Sequence, residues 1–81
     1  MGKKVEVVIL NQPYTFVGED EERIVRAAGF VDGRIRDVIK DYGIVNTLNA
    51  IVMAMMRIAD EYLEVKLRAE KVEDQTLRLL Q

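Results

Sequence analysis

Three groups of residues in this chain have types and spacings that could do chemistry. The run Glu19-Asp20-Glu21-Glu22 gathers four carboxylates, the donor type of a hard divalent cation. No glycine-bearing calcium-loop spacing accompanies it, and acids at a helix start are explained more simply by the helix dipole. Asp37 and Asp41 stand one helical turn apart, but no base or nucleophile lies near them, and both read as solvated. The sharpest pattern is Arg26, Gly29, Gly33, Arg36 and Lys40, spaced 3, 4, 3 and 4. Two glycines inside a helix cost about 1 kcal/mol each relative to alanine. Their return would be close approach of another backbone between basic side chains, which makes this stripe the leading partner-binding candidate. A local irregularity at Gly29, or a solvated basic face, are the plainer alternatives.

The absences decide more. The 81 residues contain no histidine, no cysteine and no serine. The commonest general base, the usual zinc ligands and the serine nucleophile are therefore missing. The expectation is a protein that is not an enzyme, with no catalytic residue, no metal and no cofactor. A net charge of −2 gives no general attraction to nucleic acid or anionic lipid. The start, Met-Gly-Lys-Lys-Val-Glu, lacks the apolar stretch of a secretory leader, and Glu6 stands where myristoylation wants Ser or Thr. The longest apolar run, Ala50 to Met56, is too short to cross a bilayer. A cytoplasmic protein is expected.

The elements that must position these residues follow from periodicity. Lys4 to Leu10 is rich in β-branched residues and reads as a strand, "NQP" (Asn11 to Pro13) as a turn, and Tyr14 to Val17 as the returning strand. A lone hairpin is marginal in water, so it must lie on something. Gly18 breaks the strand. A helix follows with apolar positions Ile24, Ala28, Val31, Ile35, Val38 and Tyr42, spaced 4, 3, 4, 3 and 4, which makes it one-sided. Phe30 lies beside that stripe. Gly43 supplies a stop, and Thr47, after Asn46, an N-cap for the next helix.

That second helix repeats Leu48, Ile51, Met55, Ile58, Tyr62, Val65, Ala69, Val72, Thr76 and Leu79 in unbroken 3,4 alternation. It would span roughly 50 Å at about 1.5 Å per residue, more than its own small domain can cover. A heptad sustained beyond the reach of its own core predicts a coiled coil. With Leu48, Met55, Tyr62, Ala69 and Thr76 at a, Glu61 and Arg68 at g would face Lys66 and Glu73 at e across a parallel pair. Both pairings are attractive, though each is worth under about 1 kcal/mol. Ile51, Met55, Ile58, Tyr62, Val65, Ala69, Val72 and Leu79 are the expected oligomer interface. The Ile/Val-rich d layer, and Leu63, Leu67 and Leu77 outside the seam, leave room for a tetramer. Met53, Met55 and Met56 read as packing. The expected fold is α+β and obligately oligomeric: a β-hairpin and helix head over residues 1–46, and a long helix over 47–81. The first half of that helix would pack on the head and its second half would form a coiled-coil stalk.

The order "VILNQPYTFVGEDEE", then "AGFVDGRIRDV", then an "NT" cap opening a coiled-coil helix, resembles the ZapA family of bacterial Z-ring-associated division proteins. Val31, Asp32, Arg34, Ile35, Val38, Asn46 and Thr47 carry the likeness, which covers nearly the whole chain. The resemblance implies paired heads and a parallel coiled-coil dimer, with two dimers joined tail to tail. It also implies heads that bind FtsZ filaments at mid-cell, so that the protein cross-links or bundles them. With Gln12 and Thr15 where the family can carry arginine, Arg34, Arg36 and Lys40 remain as filament-contact candidates, joined by Arg26 from the stripe above. The chain ends in mid-heptad, which by this resemblance would weaken the tail-to-tail contact. Two readings compete: a strand-helix-helix DNA-binding regulator, disfavoured by the apolar faces of the first strand and the acidic balance, and a generic coiled-coil oligomerisation module.

Overall fold

The structure, a computed structural model, describes residues 2–80, with side chains described for residues 2–70. It consists of β1 (Lys3–Ile9), β2 (Gln12–Gly18), α1 (Glu21–Tyr42) and α2 (Thr47–Leu80). The strands pair antiparallel, from Lys3 opposite Gly18 to Ile9 opposite Gln12. The hairpin therefore turns on two residues, Leu10 and Asn11, both left-handed at φ 51° and 64°. This corrects the expected turn at Asn11–Pro13: the return strand begins at Gln12, two residues before Tyr14. A two-residue turn with both central residues at positive φ matches the twist of the strands it joins. Pro13 is tolerated inside β2 because, in such a hairpin, the ladder bonds fall on the Ile9–Gln12 pair. The absent N–H of Pro13, opposite Val8, falls on the free edge.

Both helices start and stop on local chemistry. Asp20 caps α1 by accepting the Arg23 N–H at 3.0 Å, Glu21 and Glu22 sit in the first turn, and Gly43 ends the helix at φ 60°. Asn46 caps α2: its side-chain oxygen accepts the Asn49 N–H at 3.0 Å. Thr47 is thus the first helical residue rather than the cap. Between α1 and the described part of α2 the chain bends by 111°. Among the described residues no single helix is long and apolar enough to cross a membrane.

The core is small. Val5 and Val7 of β1 close over Ala28, while Ile35 and Val38 of α1 close against Ala50 and Ala54 of α2, with Ile9 touching both clusters. These seven residues are the buried hydrophobics among those described, and Val38 is the largest that is almost fully covered. Ile24 and Val31 are half-buried as the stripe predicts, but Tyr42 is exposed. The hairpin turn bonds to Asp32 and Arg36 and α2 packs on Ile35 and Val38, so Tyr42, at the end of α1, lies past both. The molecule is 14 Å thick along its shortest axis, scarcely more than one helix diameter of about 10–12 Å. A layer that thin has no second face to hide apolar side chains. From Ala59 to Glu70 every residue of α2 is exposed.

Because the fully buried part of the contact of α2 with α1 is two alanines, there is no room there for a larger side chain. Ala54→Leu should therefore lower stability by about 1–3 kcal/mol through overpacking. Gly43→Ala should cost about 1 kcal/mol through its left-handed φ. Urea midpoints followed by circular dichroism at fixed protein concentration check both. An unshifted midpoint for Ala54→Leu would mean that the helices are not in contact there.

Candidate functional site

Two features of the surface could carry function: the basic side chains of α1 and the apolar flank of α2. The basic residues separate by geometry. Arg26 is exposed and paired one turn back with Glu22 at 3.1 Å. Arg36 is drawn toward the hairpin, with Nε on Asp32 at 2.9 Å and the guanidinium reaching the Asn11 side-chain oxygen at 3.4 Å. Arg34 lies on a different face, toward α2, where it bonds Glu61 and stands 5.1 Å above the Phe30 ring centroid. Lys40 is exposed, with no ion-pair partner among the described residues. The stripe therefore brings together Arg26, Gly29, Gly33, Arg36 and Lys40, but not Arg34. A Cβ at Gly29 or Gly33 would meet nothing within 4 Å, so neither glycine serves a close approach inside this chain. The helix also runs unbroken past Gly29.

Asp32 ties α1 to the hairpin. Its Oδ1 accepts the Leu10 N–H at 2.7 Å and its Oδ2 accepts from Arg36. Leucine in the left-handed region costs about 1–2 kcal/mol. Here that cost is offset by the bond to Asp32 and by packing of the Leu10 side chain against the Ile35–Val38 cluster. The Leu10 N–H first, and then Arg36, hold the Asp32 carboxyl below its ordinary 3.8.

The flank of α2 is apolar and uncovered. Of the seam residues, Leu48, Met55, Tyr62 and Val65 are each more than 60% exposed, and Ile51 and Ile58 are half-buried at the border with the head. Ala69 is exposed; Val72, Leu77 and Leu79 lie outside the described side chains. Val52, Met56, Leu63 and Leu67 form a second exposed strip further round the helix. The two g-position residues expected to pair across a dimer are engaged within the chain: Glu61 with Arg34, and Arg68 with Glu64.

One apolar surface escaped the periodicity argument. Tyr14 and Phe16 of β2 face inward opposite Val7 and Val5, yet both remain nearly half exposed. The reason is that β1, not β2, lies over α1, so β2 overhangs the helix. Under that overhang Ile9, Phe16, Val17, Ile24, Ala27, Ala28 and Val31 line an open groove of about 280 Å³. Near the turn, Tyr14 and Leu10 border a second hollow with Ile39, Thr47 and Ile51. Ile51 belongs both to that hollow and to the seam, so the apolar strip of α2 runs on into the hairpin. The turn type was the sequence signal that could have found this, because it sets the register and hence the partners of Val5 and Val7.

The comparisons with known proteins agree with one another. The family model described as "Cell division protein ZapA" matches residues 5–81. A solved structure, "ZapA mutant dimer from Geobacillus stearothermophilus", is similar at 28% identity and a TM-score of 0.73, over 93% of this chain and 88% of that one. Among curated proteins no sequence matches.

The lowered Asp32 value gives a pH test. A carboxyl held below its ordinary 3.8 contributes stability that is fully present above that value and is lost as pH falls through its lower folded value. Asp32→Asn should melt below the parent at neutral pH, and the gap should close in acid. Thermal melts of both proteins across that range check it; a gap that persists unchanged at the acid end would remove the carboxylate from the account.

Proposed function

The chain belongs to the ZapA family of cell-division proteins, and on that premise we propose that it is a non-enzymatic cross-linker that binds FtsZ filaments and bundles them in the Z-ring at mid-cell. The observation that carries this reading is the uncovered seam of α2. A core of seven buried hydrophobics among the described residues, three of them alanine, is too small to stabilise a domain of this size comfortably. The missing burial is available where Leu48, Ile51, Met55, Ile58, Tyr62 and Val65 of two copies meet. The similar Geobacillus structure is a dimer of a mutant ZapA, which supports pairing here. Pairing through α2 would also bring Tyr14 toward the partner's helix, since the apolar strip continues into the hairpin through Ile51. Leu63 and Leu67 then stand outside the pair, free for a further dimer.

Oligomerisation supplies the mechanism. Two or four heads on a rigid helical spacer convert a weak head contact into avid bridging, because the second contact is made at high effective concentration. Lys40 and Arg26 are the head residues best placed to reach an acidic filament surface. Arg34 and Arg36 belong to the same proposed contact, but both also brace the fold, so removing them would mix two effects.

Co-sedimentation with GTP-assembled FtsZ, alongside light scattering, tests the proposal. The wild-type chain should pellet with filaments and raise scattering. Ile58→Asp with Val65→Asp should reduce the assembly to smaller species by sedimentation velocity and abolish the rise in scattering. Lys40→Ala with Arg26→Ala should keep the oligomer and weaken pelleting, more so at high salt. A folded oligomer that never pellets would overturn the filament contact, and an unchanged mass for the Ile58/Val65 variant would overturn the seam.

A further inference from the structure

We propose that Arg34 and Glu61 form a strut that sets the angle between the head and α2, and so, under the cross-linker reading above, the placement of the filament-binding heads. The contact of α2 with its own head is short. Its buried part is Ala50 and Ala54, and from Ala59 onward every described residue is exposed. Ala50 and Ala54, with the partly buried Ile51 and Met53 packed beside them, make a short pivot on the Ile35–Val38 surface: they fix how close the helices come but brace little of α2 beyond it. Beyond that pivot the described ion pairs and hydrogen bonds between α2 and the head reduce to one, Arg34 to Glu61.

The geometry suits a brace. Glu61 lies seven residues past Ala54, a lever arm of about 10 Å along the helix. Swinging α2 by about 15° would move Glu61 by ~3 Å, enough to break the bond. Arg34 is held from its own side by the Phe30 ring at 5.1 Å. That stack limits the rotamers of a long side chain and points the guanidinium at α2. Side-chain exposures of 28% for Arg34 and 47% for Glu61 leave the pair open to salt. Asp37, Asp41 and Arg57 line the cleft beside Arg34, so the surrounding charge is mixed and the brace is adjustable rather than locked. Arg34 and Glu61 are positioning residues in this account; neither needs to touch the filament.

The absence of cysteine makes the test direct. Thr15→Cys on the hairpin and Glu70→Cys on α2, both exposed, give two nitroxide sites, and labelled chain diluted into unlabelled chain isolates the distance within one protomer. Electron–electron dipolar spectroscopy should return one narrow distance. Glu61→Gln keeps the helix and removes the charge, and it should broaden the distribution or move its mean by about 6 Å, the swing of a ~24 Å arm through ~15°. The swapped pair Arg34→Glu with Glu61→Arg should restore the narrow distribution, which a merely destabilising change would not do. A Glu61→Gln distribution superimposable on the parent's would overturn the strut, as would failure of the folded swapped pair to restore it. The distance is read without FtsZ, so it stands or falls separately from filament binding. Under that reading, Glu61→Gln still pellets with filaments but alters the spacing within bundles seen by electron microscopy.

Discussion

The contact of Ala50 and Ala54 with Ile35 and Val38 is the constraint on which the rest of this molecule depends. It closes the larger of the two core clusters, and because alanine has no reach, it does so without wrapping α2 in the head. Turning the small residues inward leaves the large ones outward. Leu48, Met55, Tyr62 and Val65 are exposed for that reason, although each is of a type that water disfavours. The same packing that completes the head thus creates the surface through which the protein is proposed to associate.

The hairpin obeys a related logic. Seven-residue strands on a single helix can cover it with one strand, and β1 takes that place. The second strand overhangs, and its inward aromatics stay half wet. Val5 and Val7 seat the hairpin on α1, and a polar contact ties its turn down: Asp32 accepts the N–H of a leucine forced into left-handed backbone. A strained apolar residue at a turn is tolerable here because its side chain belongs to the core and its amide has a charged acceptor. The turn, the strand register and the exposed Tyr14–Phe16 edge all follow from that arrangement.

The basic residues of α1 illustrate why charge on a sequence is a poor guide to charge on a surface. Arg34 and Arg36 are two positions apart and look equivalent. On a helix they point to different neighbours, one to α2 and the other to the hairpin, and each is engaged with an acid of its own chain. Lys40 and Arg26 stand on the face opposite the core; Arg26 pairs only with Glu22 of its own helix, and Lys40 has no ion-pair partner among the described residues. Ion pairs at such exposure are worth little as stability, but they decide which cations are presented to a partner.

Periodicity alone determined a good deal: one hairpin, two helices, the core stripe of α1 from Ile24 to Val38, and an apolar strip along α2. Those are local properties, since a repeat of 3.6 or of two residues is written in the order of side chains. The absence of histidine, cysteine and serine was equally plain. Other features waited for the tertiary structure, because they depend on which surfaces meet. Ala50 and Ala54, rather than their larger neighbours, became the inward face of α2 because only small residues let two helices cross so closely. The turn fell on Leu10 and Asn11 because Asp32, 22 positions along the chain, was there to receive the amide. Arg34 found its partner in Glu61, seven residues beyond Ala54, because the crossing of α1 and α2 brings the two side chains together. Each is a pairing of residues far apart in the chain, and no local pattern encodes such a pairing before the elements are docked.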